Sequence, residues 1–147
     1  MGSATRRESL APEFLRPAPL LAVAVLALND HWLKGADLLP GWLTGKLSDL
    51  AGLFFFPLFL SALVGLLTRR PPGTRRLAVC AGITALAFTA LQLWPAFRSL
   101  YLDLHRALLP SWHFTVTADP TDLLALPMCA LAFWYGHRRL TAATAGD

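Results

Sequence analysis

LAVCAGITALAFTALQLWPAF, residues 77–97, contains no charged side chain. A helix needs about 20 predominantly apolar residues to cross the hydrocarbon core of a bilayer, and this run supplies them. The turn TRRPPGTRR at 68–76 precedes it, and before that turn residues 50–68 form a second long apolar run. Farther out the signal weakens. An N-terminal run beginning at 17 ends in Asn29, Asp30 and His31, and the last apolar run, 123–136, is short unless 119–122 provide its first turn. The expectation is an all-α integral membrane protein, a four-helix transmembrane bundle with spans at about 17–36, 47–68, 77–97 and 119–136. Tails at 1–16 and 137–147 flank this 17–136 domain. Pro57 and Pro127 fall inside spans two and four, where membrane helices tolerate proline as a kink.

Composition agrees. Hydrophobic residues make up 55% of the 147 and charged residues 15%, against about a quarter charged in a typical soluble domain. The net charge of +4 does not imply nucleic acid, because the basic residues fall in short clusters between apolar runs and form no continuous face. Cys80 and Cys129 each sit within an apolar run without metal-site or redox spacing, and read as small buried hydrophobes. The segment 1–16 precedes a run with no convincing cleavage site, so it reads as part of a retained anchor. Gly2 does not signal myristoylation, since Arg6 stands where that motif wants Ser or Thr.

Loops with excess Lys and Arg stay on the cytoplasmic side. With the four-arginine turn at 68–76 inside, both termini of a four-span protein are inside too. Nine basic residues then lie inside and four outside: Lys34, Lys46, Arg98 and Arg106. A bacterial inner membrane, with cytoplasmic termini, is the expected location. Trp32, Trp42, Trp94 and Trp112 fall at the outer boundary of this map, with Trp134 and Tyr135 at the inner one, matching the interfacial preference of these rings.

Six of the nine acidic residues, Asp30, Asp37, Asp49, Asp103, Asp119 and Asp122, fall on the outer side. Asn29, Asp30, His31, Lys34, Lys46, Ser48, Asp49, Thr121 and Asp122 are distant in sequence, yet they share the outer ends of spans one, two and four. Polar groups at membrane depth face the bundle interior and mark functional sites by default. The candidate catalytic residues are Asp49, Asp122 and His31. Asn29, Asp30, Lys34, Lys46, Ser48, Asp119 and Thr121 are candidate binding residues, and Asp49, Asp122 and Asp30 are the candidate ligands if a divalent cation is bound.

Structural readings compete. Asp30 with Lys34, and Lys46 with Asp49, have the spacing of intrahelical ion pairs. Asp119-Pro120-Thr121-Asp122 has the form of a helix start, with Asp119 as the cap and Pro120 first in the helix. Asp49 stands out because it follows a polar turn, Leu43-Thr44-Gly45-Lys46, and opens a long apolar run. His31 could ligate a metal, carry a proton or sit at the interface. No His-x-x-x-His spacing, phosphate loop or nucleophile elbow is present.

The two halves repeat features in order. Asp30-His31, Leu38-Leu39-Pro40-Gly41-Trp42 and Ser48-Asp49-Leu50 are followed by Asp103-Leu104-His105, Leu108-Leu109-Pro110-Ser111-Trp112 and Thr121-Asp122-Leu123. Two pseudo-repeated helical hairpins would make Asp49 and Asp122 equivalent. Lys46 has no counterpart before Asp122, so that carboxylate is expected to lack a lysine. The connection 98–118 reads as an amphipathic segment, with Leu100, Leu104 and Leu108 on one face.

Three functions fit. An outer-face site could bind or process a lipid headgroup, envelope precursor or cation. A structural or assembly protein could use small residues such as Gly52, Gly65 and Gly82 to pack closely and engage a membrane protein partner or further copies of itself. A transporter needs a polar path, and the inner halves of spans two to four offer only Ser61, Thr84 and the cysteines. Whether the chain is an enzyme stays open at this point. The lipid bilayer is the one partner common to all three.

Overall fold

A computed structural model describes residues 16–29, 32, 40–110 and 116–144. They are helical throughout, with no strand among the described residues. The order is α1 (Pro17–Leu28), α2 (Gly41–Thr68), α3 (Thr74–Leu93), α4 (Pro95–Leu108), a 3-10 helix (Pro120–Ala125) and α5 (Pro127–Thr144). By length and composition α2 and α3 can each cross a membrane. With 28 and 20 residues, they are about 42 and 30 Å long at 1.5 Å per residue.

The helix bounds differ from the expected spans in ways proline explains. Helix α2 starts at Gly41, so Thr44-Gly45-Lys46 lies in helix and not in a turn. Pro40 is its N-cap, and Pro40 O accepts from the amides of Leu43 and Thr44. Nothing after Pro40 interrupts the pattern. Helix α3 stops at Leu93, short of 97, because Pro95 forces Trp94 into an extended conformation (φ −116°, ψ 101°) and so starts a new helix. Pro57 lies within α2, as expected. Pro127 opens α5 instead of kinking a span, and α5 continues to Thr144, so 137–144 are helix and not tail.

The core is a triad. Helices α2, α3 and α5 all touch one another, α1 packs on α2, and α4 packs on α3. At the centre Leu58, Leu77 and Ala132, one from each triad helix, are fully buried. Gly136 makes this approach possible, since a Cβ there would strike Cδ2 of Leu77 and stand 3.2 Å from Cδ2 of Leu58. Cys80 and Cys129 are buried thiols, as expected.

At the end of the triad where α2 stops, Arg69 takes a left-handed conformation (φ 53°) and reverses the chain. Arg76 secures the turn by donating from Nη1 to the carbonyls of Arg70 and Pro71, at 3.0 and 2.9 Å, and from Nε to Ser61 Oγ. Its guanidinium lies over Gly65, where a Cβ would come within 2.7 Å of Nη1. The opposite end of the triad holds, among the polar residues singled out above, the described ones: Asn29, Lys46, Ser48, Asp49, Asp119, Thr121 and Asp122.

Candidate functional site

Asp119 starts the 3-10 helix as the sequence suggests. Its Oδ1 accepts from the amide of Thr121 at 2.9 Å and from the Thr121 hydroxyl at 2.7 Å. These bonds hold the Asp119 carboxyl below the ordinary aspartate range, the hydroxyl contributing most. The cap aims Thr121 and Asp122 at α2. Lys46, one and a half turns into α2, donates from Nζ to Thr121 Oγ1 at 2.7 Å and to Asp122 Oδ1 at 3.0 Å. Asp119 Oδ2 lies 3.9 Å from the same ammonium.

Asp122 therefore has a lysine, contrary to the expectation from the repeat. The lysine comes from the other half of the chain, across the helix interface. The supposed equivalents also differ in backbone, with Asp49 inside an α-helix and Asp122 in a 3-10 helix.

Gln92 belongs to this layer and was not among the residues picked out from the sequence. It is buried, it accepts from the Asp119 amide through Oε1 at 3.0 Å, and its Nε2 lies 3.4 Å from Asp122 Oδ2. The available signal was its place as the one amide side chain in the uncharged run 77–97. Arg98 supports it by donating to the carbonyls of Leu91 and Gln92, at 2.8 and 3.1 Å. These acceptors are among the carbonyls that the end of α3 leaves without helical partners.

On the other side of α2, Asn29 is fully buried and binds α1 to α2. Its Nδ2 donates to the carbonyl of Thr44 at 2.7 Å and to Ser48 Oγ at 2.6 Å. Its Oδ1 has no hydrogen-bond partner among the described residues, although a buried amide oxygen without one costs about 1–3 kcal/mol. Asp30, His31 and Lys34 lie outside the described residues, as does Trp112.

Asp49 lines two cavities. One, of about 220 Å³, is bounded by Lys46, Asp49, Thr121 and Asp122 with Leu50, Leu124 and Ala125. The other is a groove of about 370 Å³ running along α2 and α3, with Ser48 and Asp49 at its polar edge. Its walls are apolar and aromatic, including Phe55, Phe56 and Phe88, and α4 contributes Phe97 and Tyr101. Gly52 also lines it, and a Cβ there would meet nothing within 4 Å.

Among the described residues Lys46 thus feels the charges of Asp122, Asp119 and Asp49, beside an apolar groove. Such a set can hold a polar head that both donates and accepts hydrogen bonds. Among the described residues no three His, Cys, Asp or Glu side chains gather in a group that could hold a metal ion.

Comparison with known proteins adds no assignment: the chain matches no family model, no curated protein and no solved structure.

Proposed function

We propose that this chain is a polytopic protein of the bacterial inner membrane that binds an amphiphilic lipid at the outer end of a four-helix bundle. Helices α1, α2, α3 and α5 are the four spans, both termini are cytoplasmic, and the arginine-rich turn 68–76 faces the cytoplasm by the positive-inside rule. Helix α4 lies on the outer leaflet, with Leu100, Leu104 and Leu108 toward lipid. All three are more than half exposed and follow one another at helical spacing.

One observation carries the reading. Asp49 borders both cavities, which supports a single ligand with its polar head near Lys46, Asp49 and Asp122 and its acyl chain in the aromatic groove. Ligand sites typically combine mostly apolar walls with a few converging polar groups. Asp49 is the group placed to exchange a proton with a bound head, should that head be processed as well as held.

A structural role is the second reading. It is favoured by Lys46, Asn29 and Gln92, each of which forms hydrogen bonds between elements. The two readings separate at Gly52, which borders the groove and where an added Cβ meets nothing within 4 Å. In Gly52→Leu the added side chain fills the groove while leaving the polar layer intact. Lipid that co-purifies with the wild type, counted by native mass spectrometry, is expected to be lost from this variant and weakened in Asp49→Asn. Full lipid occupancy in Gly52→Leu would leave the structural reading. Cysteine labelling from outside is expected to reach position 46 and not position 73, and the reverse pattern would invert the topology.

A further inference from the structure

We infer that the cleft on α5 between Trp134, Tyr135, Arg138 and Arg139 binds the phosphodiester of an anionic phospholipid. The cleft measures about 310 Å³ and is open to the surface, with Ala142 also lining it. It is at the opposite end of the triad from the polar layer and independent of that site, resting only on the chain being a membrane protein.

The chemistry of the cleft is cationic. No acidic residue occurs in 50–102 or in 123–146, the stretches that supply the described residues at this end. Arg106, by contrast, pairs with Asp103 at 3.1 Å on α4. Among the described residues no carboxylate pairs with Arg138 or Arg139. Thr74 Oγ1 lies 3.2 Å from His137 Nδ1, so the N-terminus of α3, with its partial positive charge, lies beside this part of α5.

The geometry selects phosphate. The Arg138 guanidinium carbon sits 4.9 Å above the Trp134 ring and that of Arg139 5.5 Å above the Tyr135 ring. Each guanidinium is a cation–π partner of its ring, and the planar fork of an arginine matches two phosphate oxygens at once. The rings hold both forks in place before an anion arrives, which lowers the ordering cost of binding.

A lipid fits this site better than a free anion. Leu131 and Trp134 are 43% and 52% exposed, and with Arg138 they follow at three- and four-residue spacing on one face of α5. An acyl chain lying along Leu131 and Trp134 delivers its headgroup to the arginines. Interfacial aromatic side chains beside a basic pair are the usual surroundings of a headgroup.

The test is native mass spectrometry of the purified protein with equal amounts of phosphatidylglycerol and phosphatidylcholine bearing identical chains. The wild type is expected to retain the anionic lipid preferentially. In R138Q/R139Q that preference should fall by about 30-fold, the product for two basic residues near an anionic surface. R138K/R139K, which keeps the charge and loses the planar fork, should lose several-fold. Millimolar inorganic phosphate should not displace the lipid. Equal retention of the two lipids, a preference that survives in R138Q/R139Q, or displacement by inorganic phosphate would each overturn the inference.

Discussion

Gly52 and Gly136 both lie in helices of the triad, and their surroundings are opposite. A methyl group added at Gly136 collides with Leu77 and crowds Leu58, whereas at Gly52 it enters open space. The chain is closed where α2, α3 and α5 cross near Leu58 and Leu77, and open toward the polar layer. Small residues in a membrane-type helix thus have two uses here. One lets backbones approach, and the other leaves room for something else.

The same substitution should therefore act in opposite directions. Gly136→Ala is expected to destabilise by about 1–3 kcal/mol, the usual range for overpacking a filled core, read as a lowered midpoint in a thermal or denaturant melt. A neutral result would mean that the triad is looser than the contact at Leu77 implies. Gly52→Ala should stabilise by about 0.5–1 kcal/mol, because alanine is the better helix former and meets no neighbour. Destabilisation there would place a packed group in the groove and close the proposed site.

The smallest effect concerns the polar layer itself. Lys46 and Asp122 lie 3.0 Å apart with side chains 29% and 15% exposed. A double-mutant cycle with Lys46→Ala and Asp122→Ala should give a coupling of about 0.2–1 kcal/mol, as for other partly exposed pairs. A coupling of zero would mean that the lysine is held by Thr121 and Asp119 without Asp122.

Much of the helical pattern was legible because it rests on local rules. The uncharged run 77–97 and the arginine turn before it locate α3 and its reversal from α2. Asp119-Pro120 has the form of a helix start, and here it caps the 3-10 helix. What depended on a single proline was legible but misread. Pro95 ends α3 early, and Pro127 begins a helix that carries Arg138 and Arg139 onward instead of leaving them in a tail.

The wiring of the polar layer was only half legible. Sequence proximity pairs Lys46 with Asp49 and leaves Asp122 without a cation. The fold turns Lys46 toward the 3-10 helix, because the capped turn presents Thr121 and Asp122 to α2. Gln92 was overlooked because an amide in an apolar run looks like an isolated exception. Its role exists only once α3 and the 3-10 helix are side by side. Contacts between elements distant in sequence are set by tertiary packing, and local spacing says little about them.

The contact of Gly136 with Leu58 and Leu77 also restricts movement. With no gap on either neighbour, α5 can neither slide nor roll at that level without displacing a fully buried leucine. The 3-10 helix is tied down as well, since Leu126 continues it in helical conformation into Pro127 and Ala125 is buried against Leu53 and Cys129. A guest entering the chamber beside Asp49 is then to be admitted by rotation of side chains such as Leu124, which is 78% exposed, while the helices stay still.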